Sequence, residues 1–273
     1  MTDNHYENSK LAAVYDLDSG WSADRDFYLA LAGSPDDPNG ATGAYRTGAH
    51  SPRVHQPGDH PSRVLQILDV GCGTGLICNE YAARNHDVVG VDPSASMLDV
   101  ARKKPNGDKV EWIQAYAQTF KLNKSFDLII MTGHAFQVLH TDDDLSATLK
   151  NMRNHLKQDG VIVFESRNPA IDWTNNWNYD VTIALPDGGT VEESRRLISF
   201  EDRKMSFELR YQFEDESLTS ESVLRFWTLP EIQSHLSAAG LSAAKIVGDW
   251  DGKEFDEKHS EEMIFYVCKQ NGK

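Results

Sequence analysis

The chain predicts an α/β protein built on a mostly parallel sheet with helices on both faces. Apolar runs of strand length recur at residues 64–70, 87–92, 109–114, 126–131 and 160–166. Stretches of helical period fill the gaps at 75–84, 94–104 and 142–156. The first run stops at three closely spaced glycines, Gly71, Gly73 and Gly75, and the second ends on an acid, Asp92. Parallel strands joined through a helix cross over right-handedly, which distributes the helices over the two faces of one sheet. At 273 residues the chain holds one large domain with an elaboration, or two small ones.

The elements follow in order. Residues 1–32 read as a helical cap: Leu11, Val14, Tyr15 and Leu17 recur at helical spacing, and Phe27, Leu29 and Leu31 resume it after a break at Ser19-Gly20. Residues 33–63 are rich in Gly, Pro, His and Ser with almost nothing to bury, which reads as a flexible loop. His50, His55 and His60 recur there every five residues, but no Cys or carboxylate stands in register with them, so no metal site is expected. The third core helix starts on Asp142, Asp143 and Asp144, acids suited to the positive end of a helix, and stops before Asp159-Gly160. Residues 171–227 change character. Strand-like segments at 181–185, 190–200, 204–213 and 222–227, with the turn Pro186-Asp187-Gly188-Gly189, predict an inserted antiparallel β ribbon, serving as a lid or a dimerisation subdomain. Thr228 then caps a helix with Pro230 in its first turn, and Gly240 ends it. Two last strands, near 242–249 and 262–269, complete a core made of 64–170 and 228–273.

Composition narrows the function. Hydrophobic residues at 40% and charged residues at 25% are those of a soluble globular protein. No apolar run reaches the roughly 18–20 residues needed to cross a bilayer, and residues 1–5 lack the basic and apolar regions of a signal peptide. Three cysteines, Cys72, Cys78 and Cys268, form no metal-ligand pattern and no even framework, which points to a reducing cytoplasm. Against 42 acids stand 27 bases, a balance of −15 that repels polyphosphate and makes nucleic acid a poor partner.

The glycine stretch carries the chemistry. In Ile67-Leu68-Asp69-Val70-Gly71-Cys72-Gly73-Thr74-Gly75 the bare backbone bends sharply and lets a ligand approach. The helix that follows turns its free N–H groups toward that ligand. A carboxylate at the tip of the next strand accepts both hydroxyls of a ribose. The dinucleotide fingerprint is G-x-G-x-x-G, whereas these glycines read G-x-G-x-G with Asp69 before them. That pattern, together with Asp92, resembles the class I S-adenosylmethionine-dependent methyltransferases of small-molecule type.

The resemblance implies a seven-stranded sheet in the order 3-2-1-4-5-7-6 with its last strand antiparallel, and S-adenosyl-L-methionine as cofactor with S-adenosyl-L-homocysteine as product. Asp69, Gly71, Cys72, Gly73 and Gly75 would shape the methionine end, Asp92 would take the ribose, and Pro93 and Met97 would flank the adenine. Tyr116 stands where the family often has an acid, so Ala117 and Gln118 are left to supply that adenine contact by backbone and amide. Thr132, at the end of the fourth strand, and Tyr15, on the N-terminal helix, complete the expected cofactor contacts; an aromatic face favours a sulfonium by about 0.5–2 kcal/mol. His134 is the candidate base, or else a structural histidine beside the cofactor. Tyr6, Arg167 and Trp173 are candidate acceptor contacts, with helix packing, a surface ion pair and loop anchoring as their alternatives. Cys72 is a reactive thiol or simply a small residue that fits. No metal is expected. The Asn/Asp-Pro-Pro-Tyr motif of amide and nucleobase amino methylation is absent. The function implied is transfer of a methyl group to O or N of a small soluble acceptor by in-line displacement. A non-catalytic S-adenosylmethionine-binding protein, a protein methyltransferase and, more remotely, a nicotinamide-dependent reductase compete with it.

Overall fold

Strand β1 (Gln66–Val70) runs through the interior of a seven-stranded sheet, with β2 (Asp87–Asp92) and β3 (Glu111–Gln114) on one side and β4 (Phe126–Met131) and β5 (Leu156–Arg167) on the other, all parallel. The insertion contributes β6 (Tyr179–Ala184), β7 (Thr190–Glu201), β8 (Lys204–Gln212) and β9 (Ser217–Arg225), a separate antiparallel sheet. The core is completed by β10 (Leu241–Val247) and β11 (Glu262–Lys269), and β11 lies antiparallel to both β5 and β10. Counting core strands alone, the order is 3-2-1-4-5-7-6, as expected. This computed structural model describes residues 4–19, 21–32 and 64–270; the loop expected at 33–63, with His50, His55 and His60, lies outside the described residues.

The helices are α1 (Asn4–Glu7), α2 (Ser9–Ser19), α3 (Ala23–Ala30), α4 (Leu76–Ala83), α5 (Ala95–Lys103), α6 (Asp142–His155) and α7 (Leu229–Ala238). Strand alternation divides the core into two layers. On one face Leu68, Val70, Ile129, Met131, Ile162 and Phe164 pack on Leu145, Leu149 and Met152 of α6 and Ile232 and Leu236 of α7. On the other, Ile67, Val88, Leu128, Ile130 and Val163 pack on Tyr28 of α3, Ile77 and Tyr81 of α4 and Leu98 of α5. Burial on both faces explains why these strands read as nearly unbroken apolar runs. Caps set the helix starts: Thr141 Oγ1 accepts from the Asp144 N–H at 3.0 Å, and Thr228 with Glu231 forms a capping box on α7. None of the described helices is long and apolar enough to cross a membrane.

Boundaries differ from the sequence reading at several strands. The ribbon's last strand, expected at 222–227, is β9 (Ser217–Arg225), the strand expected at 109–114 is β3 (Glu111–Gln114), and the one expected at 160–166 starts earlier. β5 begins at Leu156, directly after α6, and its pairing with β4 shifts register between Phe126 and Leu128. Asp159-Gly160 is therefore a bend inside the strand. A Cβ on Gly160 would stand 2.9 Å from the Phe126 carbonyl oxygen, so this crossing admits only glycine.

The ribbon is anchored, not detached. Val191, Met205, Phe207, Tyr211 and Phe226 share a core with Leu11 and Val14 of α2. The same N-terminal helices are tied to the nucleotide half. Ser94 Oγ donates to the Tyr6 carbonyl and Ser96 Oγ to that of Glu7, both at 2.7 Å. Thr74 Oγ1 donates to Asp16 at 2.5 Å, and Lys104 pairs with the same carboxylate while donating to the Thr74 carbonyl at 2.8 Å.

Candidate active site at the carboxyl ends of the strands

The loop after β1 is fastened to β2 by two bonds to one acceptor: the N–H groups of Gly71 and Cys72 donate to the Val91 carbonyl at 2.7 and 3.1 Å. Gly73, Gly75 and Gly71 all hold positive φ. Their surroundings separate them. A Cβ at Gly73 would meet nothing within 4 Å, whereas one at Gly75 would lie 2.3 Å from the Trp112 ring. Trp112 packs behind the loop, against Gly75 and Gly90, with its Nε1 donating to the Gly107 carbonyl at 2.8 Å. The side of the loop at Gly73 is open, a cradle that a methyl group would begin to fill.

Asp92 closes the same loop. Its Oδ2 accepts from the Gly73 N–H and its Oδ1 from the Ser94 N–H, both at 2.8 Å, and Ser94 in turn caps α5. Burial raises the pKa of this carboxylate, and the two backbone donors oppose that rise. Each oxygen retains a lone pair, so the group can still accept two hydroxyls.

Asp69 lies deeper. It is 1% exposed, its Oδ1 has no hydrogen-bond partner, and its Oδ2 accepts from the Cys78 thiol at 3.3 Å. Burial lifts it from 3.8 to about 7. The folded state then holds this proton more tightly than the unfolded chain, so its contribution is most favourable below about pH 4 and is lost as pH rises toward 7. Asp69→Asn removes that dependence. The melting temperature of the variant minus that of wild type is expected to grow between pH 4 and 7 and to level off above; a difference that stays flat across this window would contradict the buried, raised carboxyl. Burial also pushes the Cys72 thiol up to about 11, which favours Cys72 as a small packing residue over a reactive one.

On the expected adenine side, Met97 is buried, and half-buried Pro93 accepts from Gln114 Nε2 at 3.1 Å. Tyr116 is 53% exposed. The Ala117 carbonyl accepts from Asn151 at 3.0 Å, and the Gln118 amide donates to Asp144 of α6 at 3.1 Å. Both groups therefore have protein partners of their own.

After β4 the chain turns through Thr132, Gly133 and His134 into a 3-10 turn at Ala135–Val138, and Ala135 stands against Gly71. His134 donates its backbone N–H to Glu165 Oε1 at 2.7 Å, and its Nε2 lies 2.9 Å from Glu262 Oε1. Tyr28 donates to the other oxygen of Glu165, whose pKa burial raises. Arg167 donates to Gln137 Oε1 at 3.0 Å and lies 5.4 Å from the rings of both Trp173 and Trp177; burial lowers its pKa. Trp173 Nε1 donates to the Asn168 carbonyl at 2.9 Å. Tyr6 and Tyr15 meet edge to face at 6.2 Å, with buried His5 against both. The structure thus gathers the glycine loop, Asp92, Thr132 and His134 along one edge, with Arg167 and Trp173 beside them. Sequence reasoning missed Asp16, Tyr28, Trp112 and Glu262. Asp16, Tyr28 and Glu262 act on residues 58, 137 and 128 positions away, so no local pattern announces them.

Comparisons with known proteins agree with this geometry. Residues 67–160 match the family model described as a methyltransferase domain. The ubiquinone biosynthesis O-methyltransferase of Rickettsia canadensis is 31% identical over 106 residues, which is 38% of this chain and 43% of that protein. The chain thus matches only about two fifths of that relative's length. Among solved structures, the CcbJ methyltransferase from Streptomyces caelestis aligns over 98% of each chain at 18% identity with a TM-score of 0.70. An S-adenosylmethionine-bound amino pentose methyltransferase from Micromonospora echinaspora aligns over 94% of this chain and 95% of its own at 22% identity, TM-score 0.66. At such identities these two establish the fold. Residues 67–160 thus match a methyltransferase domain, within a chain whose fold is the one seen in these two methyltransferase structures.

Proposed function

We propose that this protein transfers a methyl group from S-adenosyl-L-methionine to O or N of a small soluble molecule. One observation carries the reading: a buried carboxylate at the tip of β2, Asp92, is bonded to the N–H of Gly73 on a loop whose open side has room for a ligand. The residues present suit the cofactor. Asp92 would accept the ribose hydroxyls, the backbone at Gly71, Gly73 and Gly75 would lie against the methionine end, and the unpartnered Asp69 Oδ1 would face its cationic groups. Pro93 and Met97 would bound the adenine, and Tyr15 and Thr132 would approach the sulfonium side. The cofactor supplies an already activated methyl carbon, so the protein's share is alignment, exclusion of water and removal of a proton where the acceptor carries one.

His134 is the group we assign to that proton, with Arg167, Trp173 and Tyr6 bounding the acceptor. The ribbon, which shares a core with α2, would cover it. The acidic balance of the chain favours a small acceptor over nucleic acid. Three free cysteines among the described residues suit a reducing cytoplasm. Titration calorimetry with S-adenosyl-L-homocysteine tests the assignment: we expect a micromolar dissociation constant and a melting temperature that rises with ligand concentration. No heat and no thermal shift on folded protein would remove it.

A further inference from the structure

His134 is held from two sides by carboxylates distant in the chain. Glu165 fixes its backbone N–H, and Glu262 lies at its Nε2. Glu262 opens β11, directly opposite Arg167 at the end of β5, because β11 runs antiparallel and brings its first residue to the edge where β5 finishes. Its side chain is buried, and its Oε2 has no hydrogen-bond partner. A buried carboxylate so sparsely satisfied is costly unless a donor reaches it. His134 Nε2, 2.9 Å from Glu262 Oε1, is placed to supply such a donor. The other ring nitrogen, Nδ1, makes no hydrogen bond among the described residues, and the imidazole keeps 20% of its side-chain surface exposed.

We propose that Glu262 is a positioning residue that fixes His134 as the Nε2–H tautomer and so leaves Nδ1 as the base, for an acceptor that carries a removable proton. This rests on the methyl-transfer reading above. As the acceptor N–H or O–H bond breaks, its proton passes to Nδ1, the freed pair bonds the methyl carbon, and the carbon–sulfur pair departs with sulfur. Glu262 then faces the imidazolium, as a carboxylate behind a histidine base does elsewhere. The acceptor is accordingly an amine or a hydroxyl. A carboxylate acceptor has no proton to give at neutral pH.

The test is nitrogen-15 spectroscopy of histidine-labelled protein bound to S-adenosyl-L-homocysteine, with the His134 signals assigned by difference against His134→Gln. We expect a bare Nδ1 and a slowly exchanging Nε2–H in wild type, loss of the slow proton in Glu262→Leu and its return in Glu262→Asp. A protonated Nδ1 with bare Nε2 in wild type overturns the proposal even if the leucine variant does not fold, and so does a slow proton that survives in the leucine variant. The acceptor class is read from tritium transferred out of labelled S-adenosylmethionine into a metabolite extract. Counts stable to alkali support an amine or hydroxyl, and counts released as volatile methanol mark an ester and overturn that class. No incorporation by ligand-bound protein refutes the methyl-transfer reading itself, and with it the base role, while the tautomer stands or falls by the spectra.

Discussion

Asp92→Ala is expected to weaken binding of S-adenosyl-L-homocysteine at least tenfold while the protein stays folded. The carboxylate has two duties in this structure. It accepts the Gly73 and Ser94 N–H groups, and it still offers a lone pair on each oxygen. Hydrogen bonds to a charged group are worth about 1.5–3 kcal/mol, and about 1.4 kcal/mol is a factor of ten in affinity, so loss of a single ribose contact already reaches the stated limit. Removal of the acceptor also frees the Gly73 N–H, which loosens the loop that must lie against the ligand. Asp92→Asn offers no remedy. Its NH₂ would face either the Gly73 or the Ser94 N–H, donor against donor. Calorimetry on both variants checks the expectation. Unchanged affinity in a folded alanine variant would withdraw the cofactor assignment.

Asp92 and the glycines were legible because the whole half-unit is contiguous: loop, helix and acid lie within one strand–helix–strand passage and obey local rules. The core strands were legible for a related reason. Val88, Val89, Ile129 and Ile130 are buried on both sides, and their apolar run survives any detail of packing. The start of β5 was not. Lys157, Gln158 and Asp159 break the run, and only the pairing of Leu156 with Phe126 makes them strand.

The acceptor side resisted for a deeper reason. His134 was visible as a histidine after a strand, but its meaning depends on Glu165 and Glu262, which arrive by the parallel and antiparallel pairing of β5 and β11. Gln118 is a second case: its position reads as a cofactor contact, and its amide also donates to Asp144 of α6, a partner no local pattern announces. Local sequence reports what the backbone must do; a side chain's partner is decided by topology.

The glycine loop allows these two levels to be separated by experiment. Gly75→Ala should act on the fold and Gly73→Ala on the ligand, although the residues are two apart and both hold positive φ, +69° and +52°. A left-handed conformation costs a non-glycine residue about 1–2 kcal/mol, and both variants share that cost. At Gly75 the new methyl would also fall 2.3 Å from Trp112 Cη2 and 3.0 Å from Ala101 Cβ. Trp112 has little room to retreat, since its ring also covers Gly90 at 2.6 Å from an added Cβ and its Nε1 is bonded to Gly107. Overpacking of this kind adds about 1–3 kcal/mol, so Gly75→Ala should destabilise by roughly 3 kcal/mol in total. That corresponds to a fall in melting temperature of about 6–12 °C for a protein of this size class. At Gly73 nothing stands within 4 Å, so the stability loss should stop near the conformational cost, while affinity for S-adenosyl-L-homocysteine should drop more than tenfold because the methyl enters the cradle itself. Paired thermal melts, with and without ligand, decide the matter. If Gly73→Ala melts as low as Gly75→Ala and binds as wild type does, the open side of this loop is not where a ligand lies.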